Sequence, residues 1–152
     1  MALFLSTFTN KVDKKGRVSV PASFRASLSM ETFQGVVLFK SHTHEALEGF
    51  GMSYMSEISE RLDNYDLFSA EQDDLATVIF SESMQLPFDG DGRIVLPGTL
   101  MEAINVKDQV SFVGLGHKFQ IWTPETLAKR KGEARKNVTA QKLTLPKGGE
   151  AS

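Results

Sequence analysis

Two short stretches hold the residue types and spacings most suited to chemistry. The first is Asp13-Lys-Lys-Gly-Arg-Val-Ser-Val-Pro21 and the second is Asp89-Gly-Asp-Gly-Arg-Ile-Val-Leu-Pro97. Both read Asp-x-x-Gly-Arg-[Val/Ile]-x-[Val/Leu]-Pro, and Arg93 follows Arg17 by 76 positions. A guanidinium presents a planar fork of donors that matches phosphate oxygens or guanine edges. Lys14 and Lys15 beside Arg17 add point charges for phosphates. Asp13 and Asp89, four positions before each arginine, are placed to cap a turn or to steer the arginine by pairing. The competing reading is that Asp and Arg only stabilise the turn, and an exposed ion pair contributes about 0–1 kcal/mol. The second turn is locally acidic, with Gly90 and Asp91 where the first has lysines. Contact with nucleic acid and simple turn-holding are therefore both open for Arg93.

Other chemistries find less support. Asp89-x-Asp91 has the form of a calcium-loop start, but Arg93 holds the third ligand position and Leu100 the twelfth, where a bidentate Glu is needed. His42 and His44, two apart, should point to one side of an extended segment, and without Cys or a third ligand they read as surface residues rather than a zinc site. Cysteine is absent, so there is no disulfide and no thiol nucleophile. Neither a Gly-x-x-x-x-Gly-Lys-[Ser/Thr] phosphate loop nor a Gly-x-Ser-x-Gly elbow occurs. We expect no enzyme, no catalytic residues, no cofactor and no metal.

The elements that must hold the two turns repeat as well. Residues 3–12 mix apolar and Thr residues as a strand does, Asp13–Gly16 is a turn, and Val18-Ser-Val20 alternates as a second strand that Pro21 ends. Phe24 and Leu28 have helical spacing, and Leu100 and Ile104 repeat it 76 positions later. Val36–Phe39, Val110–Val113 and Lys118–Trp122 read as strands. Thr43 reads as the N-cap of a short helix holding Ala46 and Leu47, as Thr123-Pro124-Glu125 opens a helix holding Leu127. Between the halves, Met55, Ile58 and Leu62 form one helical stripe. Ser69-Ala-Glu-Gln72 opens a second with Leu75, Val78 and Ile79, and both stripes are expected to pack into the core. The chain then divides into a first half at 7–51, a helical linker at 52–82, a second half at 83–126 and a basic, partly mobile tail at 127–152. About 45 residues bury little core alone, so two related halves are expected to interlock strands about a pseudo-two-fold axis into one β-rich barrel. The fold class expected is mainly β with short helices (α+β).

The chain has 152 residues and a net charge of −2, so overall basicity gives no argument for a nucleic-acid partner. The distribution does. Lys11, Lys14, Lys15, Arg17 and Arg25 face only Asp13 between positions 11 and 25, whereas ten acids and one base occupy Glu45 to Glu82, and Lys and Arg dominate again from Lys129. This polarity orients an anionic partner toward the first turn. No apolar run approaches the roughly 20 residues of a membrane span, and the N-terminal stretch lacks a basic n-region. A cytoplasmic protein is expected.

Phe4-Leu-Ser-Thr-Phe, Asp13-Lys-Lys-Gly-Arg17, Val20-Pro21-Ala22-Ser-Phe24-Arg25 and Asp89-Gly-Asp-Gly-Arg93-Ile-Val-Leu-Pro97 together resemble the MraZ transcriptional regulators, from Phe4 to about Leu127. The broader likeness is to the AbrB-like swapped-hairpin fold, in which the arginine-bearing hairpin faces DNA. The resemblance implies two AbrB-like halves in one chain and a ring-like homo-oligomer. It also implies a nucleoid-associated regulator that binds short direct repeats in the promoter of the division and cell-wall gene cluster containing its own gene. By position, Arg17 and Arg93 match the two arginines, and Asp13 and Asp89 the two aspartates. Lys14, Lys15 and Arg25 complete the expected DNA-binding set. The alternatives are an AbrB-like antitoxin or interaction scaffold, and a small β-barrel hydrolase, which lacks a catalytic constellation.

Overall fold

A computed structural model describes residues 2–148. The same succession of elements occurs twice. The first is β1 (Thr7–Lys11), β2 (Arg17–Ser19), α1 (Ala22–Ser27), β3 (Gly35–Lys40), β4 (Leu47–Phe50) and α2 (Met52–Leu62). After α3 (Ala70–Phe80) come β5 (Met84–Pro87), β6 (Arg93–Val95), α4 (Gly98–Ala103), β7 (Gln109–Gly114), β8 (Phe119–Trp122) and α5 (Pro124–Ala140). The chain is mixed α and β, mainly β.

Strands of the two copies interleave. The main sheet has the order β1-β7-β8-β4-β3-β5, and a separate ribbon pairs β2 with β6. Exchanging the copies reverses that order onto itself, as a pseudo-two-fold axis requires. β1 pairs with β7 of the other copy, and β5 with β3. At the centre β4 meets β8, with Glu48 opposite Gln120. In the ribbon Val18 lies opposite Ile94, its equivalent 76 positions on. The backbone N–H of Val20 donates to Gly92 O at 3.1 Å, and that of Leu96 to Gly16 O at 2.8 Å, which is the same bond under the exchange.

Strand alternation divides the side chains between two faces. Val36, Leu38, Leu47, Phe112, Phe119 and Ile121 point into one core, which the ribbon closes with Val18, Val20, Ile94 and Leu96. Phe24 stands at its centre, its ring 5.1 Å from Phe4 and 5.4 Å from Phe119. On the outer face, α2 covers Val37, Phe39 and Phe50 through Met55, and α5 covers Val113 and Trp122 through Leu127. Between them the buried Glu48 carboxylate accepts from Gln120 Nε2 at 3.1 Å and from Lys118 Nζ at 3.0 Å, and Trp122 Nε1 donates to Gln120 Oε1 at 2.9 Å. The pair at the seam is thus satisfied, as buried polar groups must be.

Several local expectations differ from the structure. Thr43 caps no helix: 42–46 is a series of bends in which Ser41 Oγ accepts from the N–H groups of Thr43 and His44, and Leu47 begins strand β4. His42 and His44 therefore do not share an extended segment, and His44 packs on Trp122 at 5.4 Å. Leu-Glu-Gly-Phe has no β-branched residue, but pairing on both sides imposes the strand. Gly49 is required there, because a Cβ would come within 2.3 Å of the Phe119 ring. The Leu75–Val78–Ile79 stripe is seated only in part: Ile79, with Phe80, packs against the cluster under α2, Leu75 is half-buried and Val78 is exposed. The basic stretch from Lys129, placed in the partly mobile tail, is helical as far as Ala140 as part of α5. The last four positions of that tail, 149–152, lie outside the described residues. Finally, α2, assigned to the linker from sequence, is the counterpart of α5: each follows the second strand of its copy and covers that copy's outer face.

Candidate nucleic-acid interface

Each arginine sits where a turn becomes a ribbon strand. In the first turn Asp13 O accepts from Gly16 N–H at 2.9 Å, with Gly16 at φ +82°. Asp13 Oδ1 accepts from the backbone N–H groups of Lys15 and Arg17, both at 2.9 Å, and Oδ2 accepts from Arg17 Nε at 2.6 Å. One carboxylate therefore closes the turn and orients the guanidinium. The second turn repeats this. Asp89 Oδ1 accepts from the N–H groups of Asp91 at 2.8 Å and Arg93 at 2.9 Å, Oδ2 accepts from Arg93 Nε at 2.9 Å, and Gly92 has φ +75°. Both carboxyls are held below the ordinary aspartate value. The chief cause is the backbone N–H of Arg17 or of Arg93, with the other N–H and the guanidinium adding to it against some desolvation.

The ribbon brings the two arginines to one surface. Val18, Val20, Ile94 and Leu96 face inward, so Arg17, Ser19, Arg93 and Val95 share the outward face. Arg17 lies opposite Val95 and Arg93 opposite Ser19. The arginines are thus diagonal neighbours, which in an antiparallel pair are about 7–8 Å apart at Cα. Both side chains are about one-third exposed, Arg17 at 36% and Arg93 at 32%. Lys14 and Lys15 are exposed at the tip of the first turn.

The turns differ in what surrounds the guanidinium. Arg17 uses only Nε, and its terminal nitrogens have no hydrogen-bond partner among the described residues. Arg93 spends one terminal nitrogen as well, with Nη2 donating to Asp91 Oδ2 at 3.3 Å. Arg25 is not displayed at a tip. Its Nε donates to Val20 O at 3.1 Å and its guanidinium lies against Gly92, where a Cβ would fall 2.6 Å from Cζ. It braces the second turn. Met101, its equivalent, does the same under Gly16, where an added Cβ would be 3.6 Å from Met101 Cε and 2.7 Å from Leu96 O. Sequence reasoning missed Lys107, which lines an open cleft of about 780 Å³ beside the first turn with Asp13, Lys14 and Glu102. It lies outside both motifs, and the pairing of β1 with β7, extended by the bond from Val12 N–H to Asp108 O at 2.9 Å, brings it there. Ser19 and Val95 were also missed, although alternation in β2 and β6 places them beside the arginines.

Comparison with known proteins agrees with this duplicated geometry. The family model described as "MraZ protein, putative antitoxin-like" matches residues 3–76 and again 79–144. A protein of Rickettsia bellii (strain OSU 85-389) is 42% identical over 146 residues, covering 95% of this chain and 97% of the relative. Proteins of Rickettsia akari (strain Hartford) and Rickettsia felis (strain ATCC VR-1525 / URRWXCal2) are 42% and 41% identical over 145 residues, with the same coverage. All three are named transcriptional regulator MraZ. With both copies of the repeat matched and relatives aligned almost end to end, the chain belongs to the MraZ family.

Proposed function

We propose that this protein is a DNA-binding transcriptional regulator whose β2–β6 ribbon meets double-stranded DNA with its outward face. The names of its relatives support a role in transcriptional regulation rather than catalysis. The observation that carries the reading is Arg17. Its position is fixed by the Asp13 carboxylate, its terminal nitrogens have no partner among the described residues, and it stands beside Lys14 and Lys15. A held guanidinium loses little conformational freedom on binding and offers its remaining donors to a guanine edge or a phosphate. The two lysines contact phosphates. Arg93 is a weaker contact, since Asp91 draws on it, and Arg25 acts by supporting the second turn. Asp13 and Asp89 position the arginines.

In this reading the sites are short direct repeats in the promoter of the division and cell-wall gene cluster containing the protein's own gene, and the protein works at the nucleoid in the cytoplasm. No helix among the described residues is long and apolar enough to cross a membrane. One ribbon makes few contacts. A ring-like homo-oligomer presents many copies of Arg17 to successive repeats, so that affinity accumulates through effective concentration. The test is a mobility-shift titration with the DNA upstream of the protein's own gene, at two salt concentrations, beside the same DNA with scrambled repeats. Tighter binding to the intact repeats, weakening steeply with salt, is the expected result. Equal binding to both DNAs, or none, rejects the reading. The antitoxin-like wording of the family description supports a second reading, an antitoxin or interaction scaffold, which co-purification of a toxin without DNA binding would favour.

A further inference from the structure

Two helices far from the ribbon motif have too little beneath them. α5 has 17 residues, but only its first turn is seated, through Leu127. From Lys131 to Ala140 every residue except Ala134 is exposed. That stretch includes Gly132, Asn137, Val138 and Thr139, all poor helix formers. Isolated helices shorter than about 12–15 residues are marginal in water. α3 fully buries none of its eleven residues, and it is seated at its C-terminal end, where Ile79 and Phe80 pack against the cluster under α2. Helices so weakly supported by their own chain need a covering surface to be stable.

Their charges indicate what covers them. From Lys129, α5 carries Lys129, Arg130, Lys131, Arg135 and Lys136 against Glu133. The α2–α3 hairpin carries seven acids against Arg61. Among the described residues none of these groups forms an ion pair within the chain. Each patch also exposes apolar side chains: Val138, Leu143 and Leu145 on or beyond α5, and Leu67 and Phe68 at the hairpin tip, Phe68 being 90% exposed. We propose that the two patches are the halves of one self-interface, in which α5 of one copy lies on the α2–α3 hairpin of the next. The proposal rests on the self-association invoked above and names its surfaces. Because the two patches differ, the contact is head-to-tail and generates rings or open filaments. Nucleic acid would match the cations of α5, but neither the exposed leucines nor the acidic hairpin. α5 is also tied to Thr7, through Lys131 Nζ at 2.7 Å, whereas the first turn follows the other end of β1.

Light scattering of the full chain after size exclusion tests this with charge reversals on each face. Arg135→Glu with Lys136→Glu, and separately Asp73→Lys with Asp74→Lys, should each reduce the assembly toward the 16.8 kDa single chain. One chain carrying all four substitutions should reassemble, because both faces are then reversed together. That rescue separates a lost contact from a lost fold. If the unmodified protein is itself a single chain, self-association fails and this inference with it. If the unmodified protein assembles and the reversals leave it assembled, only the inference is overturned. Dissociation without rescue also overturns it. Reversal on α5 that weakens DNA binding while assembly is intact overturns it too, and assigns α5 to DNA.

Discussion

The first and second turns are built alike and charged differently. Both use an aspartate to gather two backbone N–H groups and one guanidinium, and both need a glycine at positive φ. The backbone of the turn is therefore independent of what occupies its two middle positions. Those positions are Lys14 and Lys15 in one copy, Gly90 and Asp91 in the other. The first pair adds positive charge around an arginine whose terminal nitrogens have no partner among the described residues. The second draws one of those nitrogens onto Asp91. Duplication has kept the scaffold of the arginine in both copies and the means of attracting an anion in one.

Removing each arginine in turn tests that asymmetry most strongly. Arg17→Ala should lose operator binding while melting temperature and assembly stay unchanged. A bidentate arginine–guanine contact discriminates by about 1–3 kcal/mol, roughly 5- to 150-fold per site, and an assembly multiplies that loss. Arg93→Ala should weaken binding several-fold less. Equal losses in a mobility-shift assay would break the comparison, and normal binding by Arg17→Ala would remove Arg17 from the interface.

The glycines separate the turns by stability. An alanine at either position meets the left-handed cost of about 1–2 kcal/mol. At Gly16 its Cβ would also lie 2.7 Å from the Leu96 carbonyl, a backbone atom, whereas at Gly92 it meets the movable Arg25 side chain. Gly16→Ala should therefore be the more destabilising in chemical denaturation, by about 1 kcal/mol or more, in line with overpacking costs. Transplanting charge sharpens the same contrast. Gly90→Lys with Asp91→Lys gives the second turn the charges of the first, and no atom lies within 4 Å of a Cβ at Gly90. DNA binding should tighten, and the slope of log affinity against log salt should steepen by up to about 2, near 0.9 for each phosphate gained. An unchanged slope would mean that the second turn never approaches DNA.

The smallest effect expected is that of pH. The carboxyls of Asp13 and Asp89 are depressed in the folded chain. Their contribution to stability is thus fully present above the unfolded value of about 3.9 and is lost as pH falls through the lower folded values. Amide signals of Lys15, Arg17, Asp91 and Arg93 followed by NMR should hold steady from pH 7 to 5 and move only below about pH 4. Movement between pH 5 and 7 would contradict the carboxylate account of the turns.

Much of this arrangement was readable in advance because its causes are local. Asp-x-x-Gly-Arg specifies a turn through groups at most four residues apart, and Val-x-Val before Pro specifies a short strand with one buried face. The duplication was readable because repetition needs no structure. β4 was not readable. Only Phe50 in Leu-Glu-Gly-Phe favours a strand, and the segment becomes one because β3 and β8 flank it. The surroundings of Arg25 were not readable for a related reason. Its charge and its closeness to the motif say surface contact, while the fold turns its guanidinium under Gly92 of the other copy. Lys107 was invisible because its neighbourhood to Lys14 exists only after packing.

The sequence alone determined the two turns, their glycines and arginines, and the fact of two copies, since each depends on short-range sterics and hydrogen bonding. Only the tertiary structure decided that β2 and β6 pair so that both arginines share one face, and that each copy lends its first strand to the other. Those outcomes depend on which apolar faces meet. That choice is made between residues distant in the chain, such as Val18 with Ile94 and Thr7 with Val113, and by burial rather than by any local preference.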